Sequence, residues 1–292
     1  MQLGYEQFKE QVMDLLSEKL GGRDLVRTGT VTKLNGLKLD SVYVAKEGQE
    51  ICPTCYFNDL YEFYQDGMTL EAVAGLVADM ADFLPGDKEL KYLQLTDYEQ
   101  AKERICVRLI NTEKNREMLK EIPSVPFLDL SVVFYVLFSS GEEQYQTTVT
   151  DILMNEWGKD SRELIKTACD NTKRLNPMRV TGLDVMLEDV LPEECRNEGI
   201  PDISVVSSED GRFGAVYMLD VSMLARIAER IDDDLFIIPS SVHEVLLVPM
   251  SSADREELDR TVKSVNATAL SESDYLSDHA YVYLRETGEV TM

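Results

Sequence analysis

Apolar and polar positions along this chain fall into two rhythms, one of a helix and one of a strand. Residues 1–20 place Tyr5, Phe8, Val12, Leu15 and Leu16 on one helical face, and Gly21-Gly22 ends the pattern. Residues 24–57 read as strands. Asn35-Gly36, between the runs 31–34 and 37–44, predicts a two-residue hairpin, and a third strand follows over about 50–57. Asn58-Asp59 is placed to cap a short helix ending near Asp66-Gly67. Thr69 is placed to cap a second, whose stripe is Leu70, Val73, Val77, Met80 and Leu84, stopped by Pro85-Gly86. A strand over 89–95 leads to Thr96 and Glu99, in capping-box spacing before a predicted helix over 97–110. A further short helix is expected over about 113–120.

Residues 127–138 are apolar on both faces, which predicts a central strand covered on both sides. Asp160 and Glu163 stand in capping spacing before a helix reaching about Thr172, with Leu164, Ile165 and Ala168 inward. A short helix is expected over 181–191. Segment 191–201 is acidic, holds Pro and Gly, lacks periodicity, and reads as a linker. Beyond it, 203–206 and 213–219 are expected to form a hairpin around Asp210-Gly211. A helix with Val221, Leu224, Ala228 and Ile231 on one face follows. Then come two apolar runs, 235–238 and 245–248, joined through Pro239-Ser240-Ser241. A helix carrying Leu258, Val262 and Val265 and a strand over 279–285 complete the pattern.

The order strand-strand-helix-strand-strand-helix-strand predicts an α+β fold, with mixed or antiparallel sheets packed against helices. Pro123 and Pro126 bracket the expected boundary between an N-terminal α+β region, 1–122, and a C-terminal one, 123–292. The two are either separate domains or one continuous domain.

With 292 residues and 44% hydrophobic composition, the chain can bury a full core without disulfides or metal. Acidic residues number 54 and basic residues 29, a net charge of −25 spread over both halves. Such a field repels phosphate backbones and anionic lipid, so no nucleic-acid or membrane partner is expected, and it favours a protein partner with a basic surface. No apolar run approaches the roughly 20 residues of a membrane span. The absence of a leader pattern and the five cysteines lead us to expect a cytoplasmic protein. No P-loop, dinucleotide glycine pattern, Gly-x-Ser-x-Gly or His-Glu-x-x-His occurs, so no cofactor is expected.

Three groups of residues could carry chemistry. Cys52-Pro53-Thr54-Cys55 has redox or metal-ligand spacing. It falls in a predicted strand, where three steps of roughly 3.3 Å hold the Cα atoms about 10 Å apart. A disulfide needs less than about 7 Å, so ordinary strand thiols are the plainer reading. Ser240, Ser241, His243 and Glu244 put a base beside hydroxyls and a carboxylate, the ingredients of nucleophilic chemistry. Neighbours in sequence project in different directions, and Pro-Ser-Ser is ordinary turn chemistry. Asp129 enters an apolar strand, either bonded at the strand start or set in a pocket. His279, the second histidine, alternates with Tyr281 and Tyr283 and would meet His243 if their strands were neighbours. Asp232-Asp233-Asp234 lacks the alternating ligands and glycine of a calcium loop.

Several phrases resemble an uncharacterised bacterial family, a domain of unknown function associated with anaerobic Gram-positive bacteria. They include Tyr5-Glu6-Gln7-Phe8-Lys9, Tyr56-Phe57-Asn58-Asp59-Leu60-Tyr61, Glu156-Trp157-Gly158 and Ile238-Pro239-Ser240-Ser241-Val242-His243-Glu244-Val245. The second half is also distantly similar to another uncharacterised bacterial family. The resemblance implies no activity, substrate or catalytic set. The leading expectation is a non-enzymatic protein-binding module. The alternatives are a hydrolase with a pocket near His243, Glu244 and Asp129, and a thiol or metal protein through Cys52 and Cys55.

Overall fold

The computed structural model describes residues 2–21, 25–45, 54–82, 95–140, 143–187 and 202–292. They form two compact units, Met1–Leu93 with Ser139–Glu143, and Gln94–Phe138 with Gln144–Met292. The fold is mixed α+β, with antiparallel sheets packed by helices. Pro123 and Pro126 lie inside the second unit.

In the first unit the helix Tyr5–Leu20 buries Phe8, Val12 and Leu16, and Gly21 closes it in the left-handed conformation at φ 60°. Strands β1 (Leu25–Thr32), β2 (Lys38–Ala45) and β3 (Thr54–Tyr56) form one antiparallel sheet in that order. Asn35 and Gly36 do turn the first hairpin, at φ 61° and 78°. The paired residues nearest the turn are Thr32 and Lys38, so the connection is five residues and not the expected two. Buried Asn35 and the Lys33 N–H bond to the Leu37 carbonyl (2.7 Å) fold the turn inward. The helices Phe57–Gln65 and Leu70–Asp82 follow. Thr69 Oγ1 accepts the Ala72 N–H as expected, whereas Asn58 caps nothing and instead accepts from the Tyr5 hydroxyl at 3.2 Å.

The second unit opens with a correction. The helix at 97–110 stops after Tyr98–Ala101, and Ile105–Asn111 is strand β4, buried at every position. Asp97, not Thr96, caps that first turn. Burial of all seven positions of β4, Ile105, Val107 and Ile110 among them, suits the middle of a sheet better than one face of a helix. Residues 113–120 are turns, with one 3-10 turn at Met118–Lys120. β5 (Ser124–Phe127), β6 (Leu130–Ser140) and β7 (Glu143–Thr148) complete a sheet in which β6 is central, as its two-faced apolar pattern requires. The helix Ser161–Leu175 starts with a full capping box, Asp160 with Glu163.

The second sheet has six antiparallel strands: β8 (Met178–Gly182), β9 (Ser204–Ser208), β10 (Leu235–Pro239), β11 (Val245–Pro249), β12 (Tyr281–Leu284) and β13 (Glu289–Thr291). Their order is β13-β12-β10-β11-β9-β8. The two apolar runs around Pro239-Ser240-Ser241 are β10 and β11, as expected. The helix expected at 181–191 is edge strand β8 and a short helix, Leu183–Leu187. The linker expected at 191–201 lies outside the described residues.

A second correction concerns 213–219. It is not a hairpin strand but a 3-10 segment, Gly214–Leu219, and β9 pairs with β8 and β11 instead. A Cβ added at Gly214 would lie 2.5 Å from Ser208 N and 2.6 Å from His243 O, a collision with backbone, and Phe213 before it is left-handed at φ 56°. The helices Val221–Ile231 and Arg255–Ala269 flank β10 and β11 in sequence. Leu224, Ala228 and Val262 are buried as expected, joined by Met223 and Ile227, whereas Val221 and Val265, also expected inward, are exposed.

Candidate functional site

Residues 271–280, between the helix Arg255–Ala269 and β12, gather most of the candidate chemistry. This loop is tied from three directions. From the end of β4 and the turn after it, Asn111 Nδ2 donates to Leu276 O at 2.9 Å, and Lys114 Nζ stands 4.0 Å from the centre of the Tyr275 ring. From the helix, Asn266 Nδ2 donates to Ser277 O and Asp278 Oδ1, each at 2.9 Å, and Asp259 Oδ1 accepts the Ala280 N–H at 2.8 Å. From the β10–β11 turn, the Val242 N–H donates to Asp274 O at 2.8 Å.

Two histidine–aspartate pairs sit at the ends of this loop. At one, Asp129 is the second residue of the two-residue turn between β5 and β6, where Phe127 pairs with Leu130. Leu128 before it is held at φ 55°, an unusual conformation for a branched side chain, and is 42% exposed. The Asp129 carboxylate takes the Tyr281 hydroxyl on Oδ1 at 2.6 Å and meets His279 Nε2 on Oδ2 at 3.1 Å. His279 Nδ1 lies 3.2 Å from Ala280 O, and its ring packs 4.7 Å from the Tyr281 ring. Tyr281 is fully buried. Burial first, and then the Asp129 carboxylate, push its phenol well above the ordinary tyrosine range. Burial, with Asp278 and Asp129 close by, raises Tyr275 to about 12.

At the other end, His243 Nε2 faces Asp274 Oδ1 at 3.3 Å. Its Nδ1 accepts the Phe213 backbone N–H at 3.1 Å, which assigns the ring proton to Nε2, on the aspartate side. The Phe213 ring packs 5.6 Å from the imidazole. The neighbouring hydroxyls bond elsewhere: Ser240 Oγ donates to Glu244 Oε1 at 3.1 Å, and Ser241 Oγ accepts the His243 N–H at 3.0 Å. These are bonds that build a turn.

The structure thus brings Asp129 to His279 and gives His243 a different acid, Asp274. Glu244 belongs to the turn. The histidines meet through the loop between them and not by direct hydrogen bonding. The roles of Asp274 and Tyr281 are not legible in the sequence because their partners lie 31 and 152 residues away.

The remaining candidates take ordinary roles. Cys52 lies outside the described residues. Cys55 is half-buried in β3, and burial followed by Asp59 raises its thiol. Asp232 pairs with Arg285 at 2.9 Å, Asp233 accepts the Ser251 N–H at 2.8 Å, and Asp234 accepts the Arg285 N–H at 2.8 Å. The three acids close the helix-to-strand turn. Among the described residues no group of three or more His, Cys, Asp or Glu could hold a metal ion. No described helix is long and apolar enough to cross a membrane.

A family model described as "Family of unknown function (DUF5688)" matches residues 5–285. No curated protein and no solved structure matches the chain.

Proposed function

The chain belongs to DUF5688, a family of unknown function, and we propose that it is a non-catalytic module that binds a protein partner with a basic surface. The observation that carries this reading is the engagement of both histidines. A general base needs a ring nitrogen directed at a substrate proton. His243 spends Nδ1 on the Phe213 N–H and Nε2 on Asp274, and His279 faces Asp129 and the Ala280 carbonyl. A hydrolase centred on His243 would also need a hydroxyl on the imidazole, and Ser240 and Ser241 are bonded to other groups.

The net charge of −25 supplies long-range attraction for a basic protein. A reducing bacterial cytoplasm is the compartment we propose for it, on the strength of the cysteine usage.

The test is affinity capture from a cell lysate, followed by calorimetry with the purified candidate. A basic protein should bind with an affinity that falls steeply as salt rises from roughly 0.05 to 0.5 M. Absence of any binding by purified candidates, together with ester or phosphoester turnover that His243→Ala abolishes, would replace the module with an enzyme.

A further inference from the structure

Arg108 is the most anomalous side chain in the second unit. It lies within β4, paired with Val133 of β6, and is only 7% exposed. Its Nη2 donates to Thr148 Oγ1 at 3.0 Å. Its guanidinium carbon stands 4.9 Å from the Phe213 ring centre and 5.8 Å from that of Tyr135. Burial lowers its pKa to about 10, so it remains a cation at neutral pH.

No described carboxylate balances this charge; the one ionisable neighbour acting on it is the Tyr135 phenol. Nε is the only buried side-chain nitrogen or oxygen among the described residues that lacks a hydrogen-bond partner. A buried cation without a counter-charge is costly, and a buried donor without an acceptor adds to that cost. The rings attract the charge through their faces. They offer no acceptor in the guanidinium plane, which is where the Nε–H points.

We infer that Arg108 anchors a binding site for a small organic monocarboxylate. A carboxylate is planar, lies in the plane of the guanidinium, and accepts two parallel bonds from its fork. Thr148 Oγ, already at Nη2, is a further donor for the same oxygens. The aromatic walls of Phe213 and Tyr135 suit the apolar body of an organic acid. A phosphate dianion is tetrahedral, more strongly hydrated, and opposed by the field of a chain with net charge −25.

Phe213 and Thr148, the two contacts of the guanidinium nearest the surface, are both half-buried. Phe213 is set over the guanidinium by its left-handed backbone and by its N–H bond to His243, which makes His243 a positioning residue for this site. The inference is independent of the protein-binding reading, since it rests on Arg108 and the residues around it alone.

The experiment is a melting-temperature and calorimetric titration of the full chain with acetate, propionate, benzoate, inorganic phosphate and chloride at constant ionic strength. Monocarboxylates should raise the melting temperature saturably, and phosphate and chloride should not. Arg108→Met should weaken the binding at least tenfold. It should melt, without ligand, at or above the wild-type temperature, because it removes an unpaired buried charge while keeping the volume. Arg108→Lys keeps the charge but has no Nε–H fork, and it too should bind at least tenfold more weakly. The inference is overturned by the lack of a saturable carboxylate response in the wild type, by wild-type affinity in Arg108→Lys, or by an Arg108-dependent response to phosphate instead.

Discussion

The Tyr281 hydroxyl donates to Asp129 Oδ1 at 2.6 Å, and this bond joins β12 of the six-stranded sheet to the turn that leads into β6 of the other sheet of this unit. The length is typical of an O–H donor on an ionised acceptor. Tyr281 is fully buried, whereas the Asp129 side chain keeps about a third of its surface in water. Removing the hydroxyl therefore leaves a carboxylate that water and His279 can still satisfy. Tyr281→Phe should lose about 1.5–3 kcal/mol of unfolding free energy in urea, the usual worth of a hydrogen bond to a charged group. A loss below about 0.5 kcal/mol would mean that the bond does not hold the sheets.

Leu128 stands at φ 55° with its side chain largely in solvent. The left-handed conformation costs a branched residue on the order of 1–2 kcal/mol, and little burial offsets it. Leu128→Gly relieves the strain and gives back about 0.5–1 kcal/mol in chain entropy. Its melting curve should sit level with the wild type or up to about 1 kcal/mol more stable. A clear loss of stability would show that the leucine packs against something the turn needs.

Gly214→Ala should be among the most damaging single substitutions in the chain. The new Cβ would meet Ser208 N at 2.5 Å, Ser207 C at 2.6 Å and His243 O at 2.6 Å, all backbone atoms that cannot swing aside. Forced displacement of that kind costs about 3 kcal/mol or more. Since it moves the His243 carbonyl, it should also perturb the imidazole resonances of His243 in the folded fraction.

Legibility from sequence followed the range of each interaction. The turn from Pro239 to Glu244 was readable because two buried strands left unbroken apolar runs on either side of turn residues. Asp160 with Glu163 was readable because a capping box is local. β4 was not, because its apolar residues also fit a helical stripe and Thr96 with Glu99 imitates a box; pairing with β6, some twenty residues on, decides the matter. Residues 213–219 form an apolar run like that of a buried strand, but the lack of room for a Cβ at Gly214 against the backbone of Ser208 and His243 is a tertiary fact. Asp129 drew attention as an acid in an apolar run, yet its partner His279 lies 150 residues away. Arg108, one charge in seven buried positions, lies in the stretch 97–110 that the pattern predicts as a helix, where a charge calls for no explanation.

Alkaline pH should unfold the protein in a defined direction. Tyr135, Tyr217 and Tyr281 are all raised above the ordinary tyrosine value, chiefly by burial, and Tyr275 is raised to about 12. In the unfolded chain these phenols ionise near 10. Their contribution to stability is thus complete below about pH 10 and is lost as the pH climbs through 10 toward the folded-state values. A tyrosinate absorbance titration should show these four of the 13 tyrosines ionising only as the chain unfolds. Reversible ionisation of all 13 near pH 10 in folded protein would contradict their burial.

In the proposed module both histidines hold the 271–280 loop and do no chemistry of their own. Amide hydrogen exchange over residues 242 and 271–280 tests it most directly, comparing the wild type with His243→Ala/His279→Ala. The Val242 and Asp274 amides are hydrogen-bonded within this assembly, to Asp274 O and Ser271 O. Exchange of the loop should accelerate at least tenfold in the double variant, about 1.4 kcal/mol of local stability, while the helix Ser161–Leu175 exchanges as before. Unchanged protection of the loop would contradict the claim and return both histidines to the search for a reaction.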